Sequence, residues 1–279
     1  MNSQTWGRKA LVLLPLVFFL LLILYIFLFP QSRFLPKATD AQVSSGVSWL
    51  REQEQHSPDD VEATLKARRQ AELAAQKDAW LAQLHSGEIS VWSLFEDYVI
   101  LGDSRAVGFS YYGFLPEERV LADSGATILQ VEERLDALKK LDPTMLFLCY
   151  GINDVDIGYW PTSEDYVNKI DETVALLAKE LPKADVYVCS IIPAIDPAFE
   201  RGPIWRNIPE YNEAVSAWCE DAGVSYVNIS QLCADSIALY QADGVHMMPE
   251  FYPLWAIEMI SEVYADDFNE ASHTDADNV

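Results

Sequence analysis

The residues of this 279-residue chain whose types and spacing could do chemistry fall into four short stretches. Gly102-Asp103-Ser104 follows an apolar run, Tyr98 to Leu101. Gly125 sits in "LADSGATI", behind a second apolar run. Asn153 belongs to Gly151-Ile152-Asn153-Asp154, behind a third. Asp243-Gly244-Val245-His246 stands just ahead of the last apolar helical stretch. A serine hydroxyl is a weak nucleophile at neutral pH and needs a base to take its proton. Of the four histidines, His56, His85 and His273 lie in a linker, a helix and a tail outside the region of these stretches, which leaves His246. Asp243, three residues upstream, is placed to orient the imidazole and to stabilise its cation. An oxyanion formed during attack needs donors, and the backbone N–H groups of Ser104 and Gly125 with the side-chain amide of Asn153 are candidates. Each stretch alone reads as an ordinary turn. Their occurrence together points to nucleophilic catalysis with Ser104, Asp243 and His246 as the triad.

Such residues must be held by a scaffold that brings them to one place. From about residue 96, apolar runs at Tyr98–Leu101, Arg119–Ala122, Thr144–Tyr150, Asp185–Ile191 and Val224–Asn228 read as strands. Helix-period stretches lie between most of them, at Ile128–Leu141, Ser163–Leu181 and Ile208–Ala222, and a last helix fits Pro249–Tyr264. Strands alternating with helices predict an α/β fold with a parallel sheet covered on both faces. Sites in such sheets form outside the carboxyl ends of the strands. All four stretches fall in loops that this reading sends to that edge.

The four stretches, in this order, resemble the four sequence blocks of the SGNH hydrolase superfamily, the GDSL-like esterases. The resemblance covers about residues 96–265. It implies a three-layer α/β/α fold of flavodoxin-like type with a five-stranded parallel sheet. It implies Ser104 as nucleophile, His246 as base, Asp243 as orienter, and Ser104, Gly125 and Asn153 as the oxyanion hole. Arg105 departs from the apolar or small residue that many members carry after the serine. It could bind an anionic substrate group, or pair with Asp103, Asp123 or Asp154. Ala106 occupies the second glycine position of Gly-x-Ser-x-Gly, so the nucleophile elbow of the α/β-hydrolases is not indicated.

The bulk numbers bound the rest. Lys and Arg total 19 against 43 Asp and Glu, a net charge of -24. This excludes the basic patches that nucleic-acid binding needs. Cys149, Cys189, Cys219 and Cys233 form no CxxC pair and no Cys/His cluster with zinc spacing, so neither metal nor cofactor is expected. Ala10 to Phe29 carries no charge over 20 residues, roughly 30 Å as a helix and the thickness of a bilayer core. Arg8 and Lys9 precede it, and Phe-Leu-Phe-Pro ends it without a signal-peptidase-like site. Residues 1–30 therefore read as an uncleaved signal anchor that presents the rest outside the cytoplasm. Residues 31–95 read as a linker, over 31–56, and then a stalk helix. That helix has Ser57 as N-cap, Pro58 at its first position and Gly87 as its stop. The catalytic domain spans 96–265, and 266–279 form an acidic disordered tail.

The chemistry predicted is hydrolysis of an O-ester through an acyl-enzyme. Tyr111, Tyr112, Tyr159, Trp160 and Trp205 fall in predicted edge loops and could stack on sugar rings or pack the loops. A membrane-anchored domain facing outward favours a short-chain, acetyl-type ester on a carbohydrate or cell-envelope polymer. Two alternatives stay open. One is an O-acetyltransferase, because some members of the resembled family acetylate extracellular polysaccharides beside a membrane acyl-donor protein. The other is a glycan-binding module without activity.

Overall fold

The computed structural model describes Leu21, Tyr25, residues 38–54, 57–234 and 236–265, and Phe268. The apolar run 10–29, apart from Leu21 and Tyr25, and the tail, apart from Phe268, lie outside the described residues. Among the described residues no helix is long and apolar enough to cross a membrane. The chain divides into two compact units, 1–65 and 66–279.

The first unit holds helix α1 (Asp40–Glu54) and the start of α2 (Pro58–Ser86). Helix α1 corrects the expectation of a linker over 31–56. Its described side chains are all exposed, so no buried face gave it a period to read. What starts it is local. Thr39 Oγ1 accepts the Gln42 N–H at 3.3 Å, and Gln42 Oε1 accepts the Thr39 N–H at 2.9 Å, a reciprocal capping box. Helix α2 begins as its sequence predicts, with the Asp59 N–H donating to Ser57 Oγ, and ends before Gly87 at φ +73°.

The second unit carries a five-stranded sheet: β1 (Tyr98–Gly102), β2 (Val120–Ala122), β3 (Met145–Cys149), β4 (Asp185–Cys189) and β5 (Ser225–Val227). The order is β2-β1-β3-β4-β5 and every pair is parallel. Successive strand residues point to opposite faces, so each strand feeds two cores. Val99, Leu101, Leu146, Leu148 and Val188 face α3 (Leu135–Leu141), α4 (Ser163–Glu180) and α5 (Ile208–Ala222). Tyr98, Ile100, Phe147, Tyr187 and Val227 face α6 (Phe251–Val263). The result is three layers, α/β/α.

Two boundaries differ from the sequence reading. The second core also takes in Leu84 of α2 with Val91 and Phe95, so the packed domain starts ahead of residue 96. The stretch Ile128–Leu141 is not one α-helix. It opens as a 3-10 segment, Ile128–Arg134, begun by a Thr127–Gln130 capping box, and becomes α3 only from Leu135.

Candidate active site

Strand β1 ends where only glycine fits. A Cβ on Gly102 would lie 2.5 Å from Ala106 Cβ and 2.7 Å from the Cys149 carbonyl, so its absence lets the ends of β1 and β3 close up. The Asp103 N–H donates to that same carbonyl at 3.2 Å. The next three side chains then divide. Asp103 and Arg105 turn inward and are buried, joined by Arg105 Nε to Asp103 Oδ1 at 3.2 Å and Nη2 to Oδ2 at 3.1 Å. Arg105 Nη1 also donates to the Ile192 carbonyl at 2.6 Å. Ser104, between them, is left half-buried, and its Oγ lies 3.0 Å from His246 Nε2. This corrects the expectation of Arg105 as a substrate contact. Its cation is closed off by Asp103, one of the structural partners its sequence allowed.

His246 is held in a loop closed by an antiparallel bridge between Tyr240 and Met247. Asp243 organises that loop. Its Oδ1 accepts the N–H groups of Val245 and His246, both at 2.9 Å, and its Oδ2 lies 2.5 Å from His246 Nδ1. Burial pushes the Asp243 carboxyl up, but the His246 ring and these two N–H groups outweigh it and hold it at about 2. A carboxylate in that state only accepts, so Nδ1 carries the hydrogen and Nε2 presents its lone pair to the Ser104 hydroxyl. Gly244 makes the turn at φ +73°, and a Cβ there would meet the Ile195 carbonyl at 2.4 Å. The Ile195 N–H donates to the Gly244 carbonyl, and Arg201 Nη2 donates to the Asp243 carbonyl. The segment after β4 thus braces the histidine loop, a support that no sequence signal announced.

Gly125 follows β2, exposed and at φ +77°. Neither its N–H nor that of Ser104 donates a hydrogen bond among the described residues, which leaves both free for a ligand. Asn153 follows β3 at the start of a six-residue helix, Ile152–Ile157, and its Nδ2 donates to the Ala126 carbonyl at 2.8 Å. One amide hydrogen thereby fixes the side chain and the second remains available. Asp154 adds a second tie between the two loops. Its Oδ1 accepts the Ile128 N–H at 3.1 Å and the Trp160 indole N–H at 3.2 Å. It is fully buried, its Oδ2 has no partner among the described residues, and burial raises its carboxyl to about 6 against the pull of those two donors. The sequence offers Asp154 as a partner for Arg105; the structure gives it this positioning role instead and pairs Arg105 with Asp103.

The aromatic candidates separate. Tyr111 is 78% exposed and lines a cleft of about 710 Å³ with Ser104, His246 and Tyr112. Trp160 and Trp205 do not stand free as platforms. Their indole N–H groups donate to Asp154 and to the Ile152 carbonyl at 3.0 Å, and both rings pack on the core beneath the loops. Tyr159 is exposed, with its ring against Trp160 and not on that cleft. Among the described residues no cluster of His, Cys, Asp and Glu could hold a metal ion.

A family model, the GDSL-like lipase/acylhydrolase family, matches residues 100–254, more than half of the chain. No curated protein matches. Among solved structures, a GDSL-like lipase from Bacteroides thetaiotaomicron is similar at 21% identity and a TM-score of 0.49, over 62% of this chain and 88% of that one. A carbohydrate esterase family 3 protein from Talaromyces cellulolyticus is similar at 16% identity and 0.46, over 62% and 98%. A mutant acetyl-xylooligosaccharide esterase from a Geobacillus is similar at 17% identity and 0.45, over 61% and 94%.

Proposed function

The chain belongs to the GDSL-like lipase/acylhydrolase family and is a serine ester hydrolase, and on that premise we propose that it removes short acyl groups, acetyl above all, from O-acylated carbohydrate. The observation that carries the mechanism is the line of hydrogen bonds from Asp243 through His246 to Ser104. As Ser104 Oγ attacks the ester carbon, its proton passes to His246 Nε2, and the imidazolium is stabilised by the Asp243 carboxylate. The carbonyl oxygen takes the negative charge, facing the free N–H groups of Ser104 and Gly125 and the second amide hydrogen of Asn153. The bond to the alcohol oxygen then breaks, and His246 returns the proton to that oxygen. Water repeats the attack on the acyl-Ser104, with His246 again as base. Breaking the acyl–Oγ bond releases the acid, and Oγ recovers its proton.

A short acyl group is favoured because, beyond the triad and oxyanion stretches, the sequence offers no extra amphipathic helix to shelter a long chain. Each extra methylene gains about 0.8 kcal/mol only where it finds an apolar wall. A series of nitrophenyl esters, from acetyl to decanoyl, tests this against a Ser104→Ala control. Turnover is expected to be highest for acetyl and to fall with length, while a steady rise to decanoyl would make the protein a lipase. Acetate release from an acetylated glycan follows as the second assay. Release only when a sugar acceptor is added would make it an acetyltransferase working with a membrane acyl donor.

The same reading places the enzyme outside the cytoplasm, tethered by the uncharged run Ala10 to Phe29. Protease added to intact cells should remove the domain, and full protection would reverse this topology.

A further inference from the structure

The base that accepts the Ser104 proton must hand it to the departing alcohol, so that alcohol's oxygen has to lie on the His246 side of the serine. The cleft of about 710 Å³ opens on that side. Ser104 and His246 line it, and the oxyanion residues Gly125 and Asn153 do not. Tyr111, Tyr112, Gln241 and Met248 are among the residues of its wall. The wall is fixed by internal bonds. Gln241 Nε2 donates to the Tyr112 hydroxyl at 3.0 Å and to the Met247 carbonyl at 3.1 Å, which uses both amide hydrogens. The Tyr112 hydroxyl donates to the Met247 carbonyl at 3.4 Å. Tyr112 in turn holds Tyr111 edge-on, with ring centroids 5.1 Å apart at 76°.

This arrangement leaves two groups without a protein partner among the described residues. One is the broad face of Tyr111, mostly in water. The other is Gln241 Oε1, an acceptor on the same cleft. The lining carries no Asp, Glu, Lys or Arg, and its one titratable ring besides the tyrosines is His246 itself. An aromatic face that leans on a wall of fixed dipoles, with one spare acceptor and no formal charge, matches an uncharged ring that has an apolar C–H face and hydroxyl donors at its edge. We infer that this cleft is the leaving-alcohol subsite and that it takes an uncharged pyranoside, stacked on Tyr111 and donating a hydroxyl to Gln241 Oε1. The inference rests on the esterase reading above and adds to it the side of the serine, the platform and the charge of the sugar.

The experiment compares two acetate esters on the full-length enzyme: a mono-O-acetylated methyl glucopyranoside and ethyl acetate, whose alcohol has no ring. The readout is the ratio of their kcat/KM values. Tyr111→Ala should lower that ratio roughly tenfold through KM on the sugar ester, in line with the worth of one aromatic contact. Tyr111→Phe keeps the ring and should keep the ratio, and Gln241→Leu should lower it again. Ratios unchanged in both Tyr111→Ala and Gln241→Leu would overturn the subsite. So would an effect of Tyr111→Ala on acyl-chain length instead of alcohol, which would make the cleft an acyl pocket. A wild-type enzyme that hydrolyses neither ester would instead overturn the esterase reading from which the subsite follows.

Discussion

Ser104 is presented by what its two neighbours do beneath it. Asp103 and Arg105 form a buried, doubly bonded ion pair, and such a pair costs about 3–5 kcal/mol when one member is removed, because the other charge is stranded. Arg105→Ala should therefore lose stability on that scale in a denaturant titration while KM stays close to wild type. A raised KM at unchanged stability would return Arg105 to substrate binding. The sequence allowed this pair as one choice among three carboxylates. It could not decide, because the further partner of the guanidinium, the Ile192 carbonyl, arrives from 87 positions away. Asp154 and Asp243 are two carboxyls near the site whose shifts have opposite signs. Asp154 keeps its proton in the folded protein up to about pH 6, against an ordinary value of 3.8. Between about pH 4 and 6 the folded state binds more protons than the unfolded one, so stability falls as pH rises through that window, by roughly 3 kcal/mol. Asp154→Asn should flatten the slope, which thermal melts across pH 4–6 would show; an unchanged slope would mean that Asp154 titrates like a free carboxyl. Asp243, held at about 2, works the other way, and its contribution is lost only as pH falls from about 4 towards 2.

Among the elements, the loops at the strand ends do most of the positioning, and Gly244 in them is sharply constrained by backbone. Gly244→Ala would add a Cβ 2.4 Å from a backbone oxygen at a backbone angle of φ +73° that side chains resist. Since the obstacle is backbone, the loop carrying His246 has to move. The expected result is a loss of about 1–3 kcal/mol and a fall in kcat larger than any change in KM, measured by melting temperature and steady-state kinetics. Wild-type kinetics in Gly244→Ala would show that the loop tolerates the shift. The strands were legible because each carries a short apolar run, and α4, α5 and α6 because their apolar residues recur at helical spacing. The elements that escaped had no such pattern. Helix α1 buries none of its described side chains, and its only written sign is the Thr39–Gln42 box. The Ile152–Ile157 helix is too short for a period and hides inside a motif that reads as a loop. Trp160 and Trp205 were legible as aromatic but not as structural, since their partners Asp154 and Ile152 lie in that short helix, whose position depends on the whole sheet.

For the molecule as a whole, the sheet order explains why these loops meet. The chain leaves β1 for β2 on one side, then crosses back to build β3, β4 and β5 on the other. The loops after β1 and β3 diverge at that reversal, and the crevice between them is where parallel sheets of this kind hold ligands. Ser104 and His246 are 142 positions apart and touch only because β1 and the loop before α6 end at the same edge. Their coupling is therefore a property of the complete fold, and it is the central claim. Its most direct test is a double-mutant cycle on kcat for nitrophenyl acetate with wild type, Ser104→Ala, His246→Ala and the double variant. Groups that act as one unit are expected to lose several orders of magnitude singly and little more together. Near-wild-type turnover in His246→Ala, or losses that simply add, would contradict the assignment.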